Sequence, residues 1–126
     1  MFKKVNPNPI NNLVGDCVIR AISILTDEDW DYTFMELSVF AFDMKDMPSS
    51  NAVWSAYLMN LGYRRYIIPN TCPDCFTVRD FCRRNPIGKY LLATGSHVVT
   101  VIDGTYYDTW DSGDEIPIYY FTKEER

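Results

Sequence analysis

The sequence predicts an α+β domain, with helices in the first half of the chain and an antiparallel sheet in the second. Two observations support this order. Up to about residue 62, apolar residues recur at helical spacing between residues that begin and end helices. From residue 89 onward, short apolar or aromatic segments alternate with polar residues and turn signals. Helices followed by consecutive strands are typical of α+β proteins.

The first half begins with an arm and continues with three helices. Residues 1–15 contain two prolines and four asparagines, and we expect an extended N-terminal arm there. Three amphipathic segments follow, and each begins at a polar residue that suits a helix cap. The first helix is predicted to run from Asp16 to about Thr26. The second is predicted to begin at Thr26, with Asp29 three residues later, and to end before Pro48. The third is predicted to run from Ser49 or Ser50 to Gly62.

The second half is predicted to consist mainly of strands. One short helix interrupts them at 77–84, where Asn85-Pro86 ends it. The segments with strand-like alternation are 65–68, 89–93, 97–102, 105–110 and 116–121.

Composition and charge exclude several classes of protein. A chain of 126 residues is expected to form one domain, 1–126, with its own core. The net charge of −5, with no basic run longer than two residues, argues against nucleic-acid binding. No apolar stretch is long enough to span a membrane, and the polar N-terminus does not resemble a secretory signal. We therefore expect a cytoplasmic protein whose cysteines are thiols or metal ligands rather than disulfides.

Three residues have the chemistry of a nucleophilic site. His97 is the only histidine, and it lies at the start of a predicted strand. Cys17 lies at the start of a predicted helix, where the unpaired N–H groups favour a thiolate. A thiolate, a neutral-pH base and a carboxylate that orients the base together form a Cys-His-Asp triad.

A predicted hairpin selects the carboxylate. Asp103-Gly104 suits the two positive-φ positions of a type I′ turn, which places Ile102 opposite Thr105. In that register Asp108 and His97 are diagonal neighbours on one face of the sheet. Asp108 is therefore the acid expected to bond one imidazole nitrogen and leave the other for Cys17.

These residues resemble the motifs of papain-like cysteine peptidases. The similarity is to the small bacterial and phage-encoded proteins of that superfamily and to the bacteriocin-processing (double-glycine) peptidases. It spans roughly residues 8 to 120, but short motifs carry it: Asp16-Cys17, Ser96-His97-Val98-Val99 and Tyr107-Asp108-Thr109. The resemblance implies a catalytic helix packed against a small antiparallel sheet that bears the base and its acid.

The resemblance also implies acyl transfer on a peptide or protein substrate without a cofactor. Such families place a Gln about six residues before the nucleophile to bind the oxyanion, and Asn11 and Asn12 occupy that region here. A peptidase, an isopeptidase, an amidase or a transglutaminase-like enzyme would use the same residues, because triad geometry does not select the substrate.

The remaining cysteines leave other interpretations open. Cys72, Cys75 and Cys82 have the spacing of a partial zinc site, with His97 or Asp74 as a fourth ligand. The Cys72–Cys75 pair also has the spacing of a redox dithiol, although the expected βαβ pattern is missing. A third alternative is a non-catalytic binding or inhibitor protein, because the C-terminal region is acidic and aromatic.

Overall fold

The computed structural model describes residues 1–123, and these contain four helices and six strands. In chain order they are β1 (Phe2–Lys4), α1 (Cys17–Thr26), α2 (Trp30–Met44), α3 (Asn51–Asn60), β2 (Arg64–Ile67), α4 (Val78–Arg84), β3 (Lys89–Ala93), β4 (Val98–Ile102), β5 (Thr105–Asp108) and β6 (Tyr119–Thr122). The predicted α+β class is confirmed.

The second helix begins three residues later than predicted. Thr26 is the last residue of α1, and its hydroxyl donates a hydrogen bond of 2.7 Å to the carbonyl of Ile22. Asp27 then adopts the left-handed conformation, with φ of 56°, and ends α1. Asp29 is the N-cap of α2, since its carboxylate accepts from the backbone N–H of Tyr32 at 2.7 Å. The predicted start at Thr26 is therefore wrong.

The other two helices begin at the predicted polar residues. Ser50 is the N-cap of α3, and Gly62, with φ of 98°, follows its end as expected. α4 begins with a capping box in which Thr77 and Asp80 each bond the other's backbone N–H. This pair satisfies two donors that the first helical turn would leave without partners.

The six strands form one sheet in the order β1-β5-β4-β3-β6-β2. All neighbours are antiparallel except β1 and β5, which are parallel and pair Phe2 with Tyr106 and Lys4 with Asp108. β1 lies within the predicted extended arm over 1–15, but its parallel pairing with β5 shows that the expectation of a purely antiparallel sheet is wrong. The short β1 covers an edge that β5 would otherwise expose.

Hydrophobic cores lie on both faces of the sheet. α1, α2 and α3 pack on the face that presents Leu91, Ala93, Val98 and Phe121, with Trp54 fully buried between them. α4 covers the opposite face, where Leu92, Val99, Val101 and Tyr106 surround Val78, Phe81 and Cys82. Each fully buried large apolar side chain stabilises the fold by about 1.5–3 kcal/mol. The start of α1 is thereby fixed against β4, the strand that His97 precedes.

No helix within residues 1–123 is both long and apolar enough to cross a membrane.

Candidate active site

Cys17 is the first residue of α1, and its side chain is partly buried. No side chain caps this helix, and its first turn contains no acidic residue. The N–H groups of the first turn therefore present their partial positive charge close to the thiol, which favours the thiolate.

The hairpin of β4 and β5 brings His97 and Asp108 together. Its turn has φ of 49° at Asp103 and 77° at Gly104, and Ile102 pairs with Thr105 as predicted. His97 directly precedes β4 and Asp108 ends β5, and the imidazole Nε2 lies 2.6 Å from the carboxylate Oδ2. Because Nε2 bonds Asp108, Nδ1 is the nitrogen left for the Cys17 sulfur.

Asp108 is held by several donors in addition to His97. The Ser112 hydroxyl donates to Oδ2 at 2.7 Å, and the Thr109 backbone N–H donates to Oδ1 at 2.8 Å. Burial would raise the pKa of this carboxyl, but the hydrogen bonds and the charge of His97 bring the pKa below its ordinary value. Asp108 is therefore ionised across the neutral range and keeps a fixed orientation.

Cys17 and His97 line the same cleft, and each shifts the pKa of the other. Burial alone would raise the pKa of Cys17, but the bonds with His97 and the Val98 backbone N–H, together with the charges of His97 and Arg20, lower it. Burial also opposes a charged imidazole, but Asp108 and Cys17 raise the pKa of His97 to about 9. Both shifts favour a thiolate–imidazolium pair at neutral pH.

Asp16 precedes the nucleophile and is the N-cap residue of α1, as predicted. Its side chain, however, makes no capping hydrogen bond. Its Oδ1 forms a close ion pair with Arg20, and its Oδ2 accepts from the Trp30 indole N–H at 2.9 Å. Arg20 also approaches Asp108, with Nη2 3.6 Å from Oδ1. Spacing alone would have suggested the Asp16–Arg20 pair, because residues four apart on a helix are neighbours.

Cys17 and His97 open into a cleft of about 240 Å³. Its lining contains no lysine, arginine, aspartate or glutamate and consists of Gly15, Cys17, Val18, Ser49, Asn51, Trp54, Ala93, Thr94, Gly95, Ser96, His97, Val98 and Tyr119. Outside this lining, Trp110 packs on the imidazole of His97 with ring centroids 5.0 Å apart. The nucleophile and its base are therefore accessible to a ligand of moderate size, and the lining does not require that ligand to be charged.

A larger cavity of about 750 Å³ lies at the other end of β3, beside Lys89 and Tyr90. Its lining includes neither a cysteine nor a histidine. Size alone does not identify the reactive site, and the smaller cleft is the one with the nucleophile.

Asn11 and Asn12 are exposed and lie outside the lining of this cleft. The Asn11 carboxamide oxygen accepts from Asn6 at 3.1 Å, and the Asn12 backbone N–H donates to Asn8 at 3.3 Å. The structure therefore does not bring them to Cys17, because Asn8 and Asn6 fold the arm into its own turn.

Asn51, the first residue of α3, is the side-chain amide that does line the cleft. Its carboxamide oxygen accepts from the Trp54 indole N–H at 3.0 Å, which turns the amide N–H groups away from the indole. Sequence reasoning missed Asn51 because α3 is far from Cys17 along the chain.

The other three cysteines do not form a metal site. Cys72 and Cys75 are joined in a disulfide with their Cα atoms 4.1 Å apart, which contradicts the expectation that they are thiols or metal ligands. The reason is local: the Asp74 backbone N–H bonds the Thr71 carbonyl at 3.0 Å in a tight turn. Cys82 is buried in the core beneath α4, and no group of three candidate metal ligands occurs within residues 1–123.

Several side chains of the acidic and aromatic C-terminal region make contacts within the fold. Tyr106 is buried, and its hydroxyl bonds Asp111, while the ring of Tyr120 stacks on Tyr66 at 5.3 Å. Trp110 is 46% exposed beside the cleft.

Comparisons of the chain with protein-family models, with curated proteins and with solved structures give no match.

Proposed function

We propose that this protein is a thiol-dependent acyl-transfer hydrolase, a cysteine peptidase or isopeptidase built on a papain-like arrangement. The observation that supports it is that Cys17 and His97 line one open cleft, with His97 hydrogen-bonded to the buried carboxylate of Asp108. A structural histidine needs neither a buried carboxylate on one nitrogen nor a thiol at a helix start on the other. The proposed location is cytoplasmic.

The first half of the reaction forms a thioester. The thiolate of Cys17 attacks the carbonyl carbon of the substrate, and the C=O π electrons move to oxygen and give a tetrahedral oxyanion. When this intermediate collapses, the C–N bond breaks and the His97 imidazolium gives its proton to the leaving nitrogen. Asp108 remains ionised and holds the imidazole in place throughout.

The second half releases the acid and restores the enzyme. Neutral His97 takes a proton from water as the water oxygen attacks the thioester carbon. The C–S bond then breaks, and the free thiolate again pairs with the imidazolium of His97. An amine in place of water would give transfer instead of hydrolysis.

The oxyanion is assigned to two donors at the cleft. One is the Cys17 backbone N–H at the start of α1, where the helix also favours a negative charge. The other is the side-chain amide of Asn51, which lines the cleft and is oriented by its bond to Trp54.

Digestion of a diverse peptide library, including branched isopeptides, tests this function. New termini are mapped by mass spectrometry after incubation with the wild-type protein, with Cys17→Ala and with Cys82→Ala as the matched control. We expect cleavage by the wild type and the control and none by Cys17→Ala. If Cys17→Ala cleaves as well as the wild type, or the wild type cleaves nothing while Cys17 titrates as an ordinary thiol, a non-catalytic binding protein replaces this proposal.

A further inference from the structure

Arg20 is a buried cation that the reaction described above does not use. It lies one turn after Cys17 on α1, and the residue is only 9% exposed. A buried guanidinium costs several kcal/mol of desolvation unless carboxylates or other acceptors offset it. Arg20 therefore needs close acceptors, and the fold provides two.

These two carboxylates belong to the two halves of the site. Arg20 Nη1 forms the close ion pair with Asp16, immediately before the nucleophile. Its Nη2 lies 3.6 Å from Oδ1 of Asp108, whose other oxygen bonds His97. One side chain on the helix of the nucleophile thus reaches the acid at the end of β5. Lysine has no second nitrogen with which to make both contacts.

Asp16 would disturb the site if Arg20 were absent. Its carboxylate is 5% exposed at the side chain, and it stands next to the residue that must carry a negative charge. Like charges at close range in a low dielectric oppose ionisation of the thiol. The Trp30 indole N–H holds Asp16 from α2, but it is a neutral donor, and the compensating positive charge comes from Arg20.

We propose that Arg20 is a positioning residue for the Cys17–His97–Asp108 site, which compensates the charge of Asp16 beside the thiolate and fastens Asp108 to α1. This inference rests on the proposed thiol chemistry. Arg20 forms ion pairs with Asp16 and Asp108, and its charge also acts on Cys17, while the Trp30 N–H donates to the second oxygen of Asp16.

A charge cycle tests the proposal without any substrate. The alkylation rate of Cys17 by iodoacetamide is measured against pH, by mass spectrometry, in the wild type, Arg20→Met, Asp16→Asn and the double variant. Loss of the cation should reduce the thiolate fraction at pH 6 roughly tenfold in Arg20→Met, because an opposite charge is removed. Asp16→Asn should change the thiolate fraction in the opposite direction, and the double variant should return towards the wild type.

A merely structural Arg20 gives a different pattern. Arg20→Met would then slow alkylation equally at every pH, without a displaced titration and without restoration by Asp16→Asn. Alkylation that is slowed equally at every pH overturns the proposal, and so does a failure of Asp16→Asn to restore the thiolate fraction. If Arg20→Met does not fold, as judged by near-UV circular dichroism, Asp16→Asn decides the question: the proposal requires the pKa of Cys17 to be lower in this variant than in the wild type, and an unchanged pKa overturns it.

One further variant, His97→Ala, measured in the same way, separates this proposal from the function on which it rests. If wild-type Cys17 titrates as an ordinary thiol and His97→Ala changes nothing, the thiol chemistry itself fails. If wild-type Cys17 is activated by His97 but its titration is the same in all four proteins, only the role of Arg20 fails.

Discussion

The two free cysteines of the described chain occupy opposite kinds of environment. Cys17 begins α1 and lines an open cleft with His97, which lowers the pKa of the thiol. Cys82 lies within α4 and is 2% exposed among Phe81, Val99 and Tyr106. Burial raises the pKa of Cys82, and the N-terminal amine and Arg79 offset this only in part.

This difference shows what turns a thiol into a nucleophile. Both side chains are partly or wholly removed from water, and desolvation alone would make both of them inert. Cys17 differs because an imidazole, a backbone N–H and a helix start all stabilise its negative charge. Cys82 instead packs against apolar side chains, and it behaves as a small apolar residue.

The largest effect is expected when the base is removed. His97→Ala should lower turnover about 1000-fold, because the thiolate loses its partner and the leaving amine loses its proton donor. Cleavage of a peptide found in the library digestion gives the measurement. The matched control is Cys82→Ala, for which turnover should equal that of the wild type. Full turnover by folded His97→Ala would contradict the assignment.

A smaller effect is expected at Asp108, together with a change in pH dependence. The pKa of His97 is raised to about 9, so wild-type turnover should fall above that pH as the imidazolium loses its proton. Asp108→Asn removes the charge that helps to raise this pKa, and the alkaline limit should move to lower pH. Turnover at the optimum should fall less than in His97→Ala, because Asp108 orients the base without taking part in bond making.

Full pH–rate profiles of the wild type and Asp108→Asn test this expectation. Alkylation of Cys17 provides the internal comparison, because the thiolate is still present above pH 9 and its alkylation should not decline there. An alkaline limit that is identical in both proteins would remove Asp108 from the role assigned to it.

A matched pair of asparagines tests the oxyanion assignment. Asn51→Ala should lower kcat about tenfold and leave KM nearly unchanged, because this exposed donor acts mainly on the charge that develops on the substrate oxygen. Asn11→Ala should have no effect on kcat, since Asn11 bonds Asn6 away from the cleft. The reverse ranking in steady-state kinetics would return the oxyanion site to the N-terminal arm.

The smallest functional effect is expected at the other free thiol. Cys82→Ala should cost about 1 kcal/mol of unfolding free energy, because it leaves a small void beneath α4, and should not alter the alkylation of Cys17. Urea denaturation and mass spectrometry measure the two quantities. A changed rate at Cys17 would mean that the two cores are coupled.

Local chemistry explains which parts of the site could be predicted from the sequence. Asp103-Gly104 determines the register of β4 and β5, and the register brings His97 to Asp108 only eleven residues away. Cys17 could be placed at a helix start from its neighbours. Its position beside His97, by contrast, depends on how α1 packs on the sheet across eighty residues of chain.

Most of the features that could not be predicted are long-range or weakly patterned. β1 has only three residues, and its pairing with β5 depends on an edge formed much later in the chain. Asn51 reaches the cleft because Trp54 is buried between α3 and the sheet. The disulfide of Cys72 and Cys75 depends on the tight turn between them, which an expected reducing compartment does not take into account.

The pH dependence of alkylation at Cys17 and Cys82, in the wild type and in His97→Ala, tests the central claim most directly. We expect Cys17 to react rapidly at and below neutral pH and Cys82 to react slowly throughout, and we expect the high alkylation rate of Cys17 to be lost in His97→Ala. Equal and ordinary titration of both thiols in the wild type, or a Cys17 whose reactivity is unchanged in His97→Ala, would contradict a thiolate–imidazolium pair at this site.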